Sequence, residues 1–221
     1  MLRRLALCLA LLAPPAWGQE PNLAAAQDSG APGSAARLVL AERAYDQALA
    51  AGEPLLLIAA IRLARGVTLR PATGWERTTE APSDAATAPT ATGPGSESAL
   101  TIARNLAGED PDLQDLVYDL DAQEPHGPNA TAVFVASRVG AGETETWRLP
   151  LFGEVAAEIA LLGEGAPLAL SVSDEAGNLL CARPAGQAPV LCRLTPARNG
   201  FFILTVSNPG SAASGYRLIG N

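Results

Sequence analysis

A chain of 221 residues that is 48% hydrophobic has the apolar material for a core, and its 23 acidic against 15 basic residues leave a formal charge of −8. The basic residues are scattered, which excludes a nucleic-acid partner, because phosphate neutralisation needs grouped Lys and Arg. One histidine and three cysteines bound metal and nucleophilic chemistry just as tightly.

The first residues read MLRRLALCLALLAPPAWGQE: Arg3 and Arg4, an apolar run from Leu5 to Ala13, then Pro14, Pro15 and the small residues Ala16 and Gly18. This is the pattern of a secretory signal over residues 1–18, cleaved between Gly18 and Gln19. The nine residues from Leu5 to Ala13 fall short of the roughly 20 that cross a hydrocarbon core, so no stable membrane insertion is expected and the mature product is expected in the periplasm or outside the cell. Cys8 follows the bulky Leu7, where lipid-modification sites carry a small residue, and leaves with the signal. Cys181 and Cys192 are then the only cysteines of the mature chain, in a compartment where disulfides persist.

Residues 19–33, QEPNLAAAQDSGAPG, are small, polar and broken by Pro and Gly, and read as a flexible leader. A helical part follows over 34–123. Ser34 is the expected N-cap of a helix carrying Leu38, Ala41, Tyr45, Ala48 and Leu49 at helical spacing, with Gly52 as its stop. Pro54 opens a second helix, LLLIAAIRLARG, apolar nearly all round; the short connection folds the two into an antiparallel hairpin. One hairpin cannot bury such a helix, so its cover must come from later in the chain. Residues 70–96, rich in Pro, Thr, Ala and Gly, offer no core and read as a disordered insert with Trp75 as its one large side chain. Beyond it Ala99, Ile102, Ala103 and Leu106 mark a third helix ending at Gly108. Asp110-Pro111 then caps and opens a fourth, with Leu113, Leu116, Val117 and Leu120 on one face. Two helical hairpins result. A tetratricopeptide-like array suits the spacing of AERAYDQALAAGEP, but no second copy recurs at a fixed period.

Residues 124–130 carry Pro125, Gly127 and Pro128 and read as a linker. From Thr131 to Asn221 the period changes to two: TAVFVASR, ETETWRLPL, EVAAEIALL, PLALSVS, NLLCAR, PVLCRL, GFFILTVS and SGYRLIG are short runs separated by turn residues. About eight strands in some 90 residues give an antiparallel β-sandwich, jelly-roll-like, and an α+β chain overall. SDEAGN is a hairpin turn in which Gly177 supplies the positive φ.

The order of ETETWRLPLFGEVAAEIALLGEG, LALSVSDEAGNLLC and LTPARNGFFILTVSNPGSAASGYRLIGN resembles the bacterial pre-peptidase C-terminal type of β-sandwich over residues 131–221. The resemblance implies the fold and an appended, accessory role in a secreted bacterial protein. Relatives often carry closely spaced aspartates before the D-x-x-G strand; here GEGAPLAL keeps only Glu164, and a hard cation wants several carboxylate oxygens. No metal and no cofactor are therefore expected.

For the cysteine pair, a zinc site would need four N or S ligands, and only His126 is there to help. A redox pair would be closely spaced at a helix start. A disulfide closing neighbouring strands remains. No G-x-S-x-G elbow exists, and a Ser-His-Asp triad would have to pass through His126, so no catalytic residue is assigned. The acidic groups Glu109, Asp110, Asp112 and Asp115, Asp119, Asp121 read as helix-dipole partners and a solvated face. Trp147 alternates with Leu149 and Leu151, which makes it core or, if exposed, a partner contact; Trp75 has no core explanation and is the candidate anchor for a partner. The expectation is an exported, non-enzymatic binding or accessory protein of the bacterial envelope, contacting a protein or a glycan. The alternative is the accessory domain or degenerate relative of a secreted hydrolase using its acidic residues.

Overall fold

The computed structural model of the chain describes residues 20–24, 32–78, 93–124, 130–165, 167–186 and 189–221. The signal segment, its cleavage point, Cys8, His126, most of the leader, residues 79–92 of the insert and residues 125–129 of the linker lie outside the described residues.

Among the described residues four helices form in two hairpins: α1 (Ser34–Ala51), α2 (Pro54–Arg65), α3 (Glu97–Ala107) and α4 (Pro111–Asp121). Their ends follow local chemistry. Ser96 accepts from the Ala99 N–H and Asp110 from those of Asp112 and Leu113, while Pro54 and Pro111 stand in the first turns of α2 and α4. The cover demanded by α2 comes from the second hairpin. Leu57, Ile58 and Ile61 of α2 pack with Ala99, Leu100 and Ala103 of α3 and with Val117 and Leu120 of α4. The start of α1 departs from expectation, because Gly33 and not Ser34 is the N-cap residue and no local side chain caps it. The Glu158 carboxylate accepts instead from the N–H groups of Gly33 (3.0 Å) and Ala36 (2.8 Å), a negative charge placed at the positive end of the helix dipole by a strand more than a hundred residues away.

Among the described residues ten strands, two more than expected, build the sandwich. In chain order they are β1 (Thr68–Pro71), β2 (Glu76–Arg77), β3 (Thr131–Val139), β4 (Thr144–Leu151), β5 (Ala157–Gly163), β6 (Leu168–Asp174), β7 (Leu179–Gly186), β8 (Val190–Leu194), β9 (Gly200–Ser207) and β10 (Ser214–Gly220). One sheet has the order β1-β3-β10-β5-β8 and the other β2-β4-β9-β6-β7. All neighbours are antiparallel except β1, which runs parallel to β3. The eight runs read from the sequence are β3 to β10, and Gly177 takes φ 84° in the β6–β7 turn as its sequence implies.

Between the sheets lie Leu149, Ile159, Leu161, Leu170, Val172, Phe202, Leu204, Val206, Tyr216 and Leu218. The first sheet is covered on its outer face too: Ala35, Leu38, Val39 and Ala41 of α1 pack on Ala160, Leu162 and Ile219. Strand β5 is thus buried on both faces, which is why its sequence is apolar almost without alternation. The helical part and the sandwich share this layer of core.

Two expectations are corrected here. Residues 70–78 of the insert are not structureless, since β1 extends the first sheet, the chain crosses at residues 72–75, and β2 extends the second. The leader is also fixed where it is described. Asn22 is 6% exposed and Leu23 packs against the core between the sheets.

Candidate functional site

Cys181 and Cys192 are joined in a disulfide, with Cα atoms 6.0 Å apart. They do not close a two-stranded hairpin, however. Cys181 lies on β7, at the edge of one sheet, and Cys192 on β8, at the corresponding edge of the other, so the bond ties the sheets together. A ring of this size in the unfolded chain makes the bond worth about 2.5 to 3 kcal/mol.

At the opposite edge the crossing segment places Trp75 and Arg77. Trp75 is half-buried against the core between the sheets, and its ring lies so close to Gly220 that a Cβ there would come within 2.8 Å of Cζ2. Arg77 pairs with Glu145 at 2.9 Å, donates to Ser137 Oγ, and stands 5.4 Å from the centroid of the Trp147 ring. Glu145 also accepts from the Tyr216 hydroxyl, which in turn accepts from Trp147 Nε1 at 2.8 Å. Burial first, and then the Glu145 carboxylate, push the Tyr216 hydroxyl far above the usual phenol range, so it stays a donor. No buried side-chain polar atom of this cluster lacks a partner, which makes it a specified internal joint. Trp147 is 7% exposed and lies with Leu149 in the core, where alternation along β4 places it.

The acidic groups of the second helical hairpin do not converge on a cavity. Asp110 is spent on its cap, and Asp121 pairs with Arg104. The remaining acids of that hairpin stand on exposed positions.

The described residues do form a cleft where α1 crosses the first sheet. One cavity of about 230 Å³ is floored by Leu38, Val67, Leu69, Leu162 and Ile219 and rimmed by Gly93, Pro94 and Gly95. A second of about 170 Å³ is lined by Glu42, Tyr45, Asp46, Glu164 and Arg217. Glu42, Leu162 and Arg217 belong to both, and the 3.0 Å ion pair between Glu42 on α1 and Arg217 on β10 stands at their junction. Burial, which outweighs the nearby Arg217, lifts the Glu42 carboxyl above the usual range, with the Asp46 charge adding to the lift. Desolvation raises Asp46 as well. The cleft thus passes from an apolar floor to an acidic mouth holding three carboxylates and one guanidinium. Its sequence signal was the pair Glu42 and Asp46, one helical turn apart on a helix otherwise read for its apolar face.

No family model matches the chain, and no curated protein matches it. Among solved structures, the pre-peptidase C-terminal domain of a collagenase from Bacillus anthracis is similar over 39% of this chain and 86% of that one, at 16% identity and a TM-score of 0.34. A carbohydrate-binding module, CBM36, solved in complex with calcium and xylotriose, is similar over 38% of this chain and 76% of that one, at 8% identity and a TM-score of 0.27. The chain is a helical unit joined to a β-sandwich, part of which is similar to a pre-peptidase C-terminal domain. At these scores neither relative carries a site residue or a ligand over to it.

Proposed function

We propose that the mature chain is an exported, non-enzymatic accessory protein of the bacterial envelope that contacts a protein partner through the cleft between α1 and the first sheet. The observation that carries this reading is the change of lining across the Glu42–Arg217 pair, mostly apolar on one side, where Arg65 is the further charged residue, and acidic on the other. Such a lining suits a basic side chain beside an apolar one, a combination that protein partners supply routinely. A glycan is less well served at this cleft, since sugar rings stack on aromatic faces and Tyr45 is the one aromatic residue in its lining. The signal-like first 18 residues and the disulfide support export.

A photoreactive residue placed at Asp46 in the exporting cell tests the proposal, with Tyr118 on α4 as the control position. A discrete protein adduct from position 46 and none from 118 is the expected result. Equal labelling from both, or retention of the purified protein on envelope glycans with no adduct, would overturn it. Intact mass of the exported product tests export itself: it should begin at Gln19.

A further inference from the structure

Residues 22–24 of the leader are held by one end of the sandwich in a way that does not depend on being part of the same chain. Asp174, 3% exposed, closes the β6–β7 turn by accepting from the N–H groups of Ala176 (3.0 Å) and Asn178 (2.9 Å) and from Asn178 Nδ2 (2.9 Å). Its remaining lone pair is met by the backbone N–H of Asn22 at 2.9 Å, from 152 residues away. The Asn22 side chain then reads a single backbone unit from both sides, Nδ2 donating to the Arg198 carbonyl at 3.0 Å and Oδ1 accepting from the Arg198 N–H at 2.9 Å. Leu23 enters the margin of the core, and the Ala24 N–H donates to the Thr195 carbonyl at 2.8 Å.

All the receiving atoms belong to the β6–β7 turn and the β8–β9 connection. What they require of an occupant is a tight bend at the amide residue, closed here by the Leu23 N–H donating to the Pro21 carbonyl at 2.8 Å, with the amide side chain at the bend and an apolar residue after it. Asp would lack the donor for Arg198, and an aliphatic residue would lack both donor and acceptor. Backbone bonds supply affinity in such a contact, and the amide and apolar side chains supply specificity.

We propose that this end of the sandwich is a recognition site for an Asn-apolar peptide bent at its Asn, filled in cis by Asn22 and Leu23 and able to take the same segment from a second copy of the chain. The site is separate from the cleft and does not rest on its assignment. Occupation in cis sets a competition, because a tethered segment acts at an effective concentration in the millimolar range.

The test uses the full exported chain carrying Asn22→Ala and Leu23→Ser, with a synthetic peptide of residues 19–26 as probe. The variant is expected to bind the peptide saturably and recover melting temperature on binding, whereas the unaltered chain binds it at least about tenfold more weakly because its site is filled. A peptide with Asn22→Ala should bind neither. If the double variant is too unstable to purify, the single Asn22→Ala chain keeps the Leu23 contact and gives the same comparison. Equal binding of both peptides, or no binding to either variant, would overturn the proposal.

Discussion

The sandwich has two edges, and the chain closes each with a different device. At one, a covalent bond between β7 and β8 ties the two sheets. At the other, the same job falls to ten residues, 68–77, that add a strand to each sheet and plant Trp75 and Arg77 between them. The covalent device is local, spanning 11 positions, and it restricts the unfolded chain without needing any particular packing. The other is long-range and acts only in the folded state, through burial and one desolvated ion pair. The first should therefore fail only by chemistry, and the second by single substitutions.

The largest effect should come from Arg77→Ala. Glu145, with a side chain 4% exposed, would lose its cation while remaining buried, a change that typically costs about 3 to 5 kcal/mol. Chemical denaturation reads the loss directly, and combining Arg77→Met with Glu145→Gln should recover most of it. A single substitution without effect would mean that the β2 edge is detached in solution. Next, Trp75→Ala should cost about 3 kcal/mol through lost burial beside Gly220.

Reduction of the disulfide follows, at about 2.5 to 3 kcal/mol, or a melting shift on the order of 10 °C. Since α1 shares a core layer with β5 and β10, the helical part should melt together with the sandwich, and a separate helical transition unaffected by reductant would contradict that shared layer. Thiol counting on unreduced, unfolded protein should find none free. The two edges stand at opposite ends of both sheets, so Trp75→Ala and reduction should add to within about 0.5 kcal/mol. A larger coupling would show that the edges act as one device.

The difference between the edges also explains what could be read in advance. Period-two alternation exposed β3 to β10, and two cysteines in an exported chain announced their bond. That the bond joins sheets depends on β7 and β8 being edge strands of different sheets, which no local pattern encodes. TLRP and the pair Glu76-Arg77 are too short for a period, and their Pro, Gly and Thr neighbours look like a linker; they become strands only by pairing with β3 and β4, some 60 to 70 residues later. Asn22 and the Glu158 cap were hidden for the same reason. In the cleft, Glu42 and Asp46 stand one helical turn apart, a pair that the apolar reading of α1 passed over, and the partner of Glu42, Arg217, arrives from the last strand.

A titration isolates the α1 interface, which lies over the middle strands between the two edges. Glu42 has its carboxyl raised in the folded state, mainly by burial, and it faces Arg217 from β10, Asp46 and Tyr45 from its own helix, and Glu164 at the end of β5. A raised folded value means that the native state holds the proton more tightly than the unfolded chain, so stability falls as pH rises from the ordinary carboxylate range through the raised value. Glu42→Gln should remove that slope, leaving the protein about 1 to 3 °C more stable at neutral pH and nearly unchanged in mild acid. Loss of the Arg217 attraction works against this gain, which is why the effect is the smallest of the series. Melting curves from pH 4 to 8 on the two proteins measure it. A variant less stable at neutral pH would show that the ion pair with Arg217 outweighs burial at the mouth of the cleft.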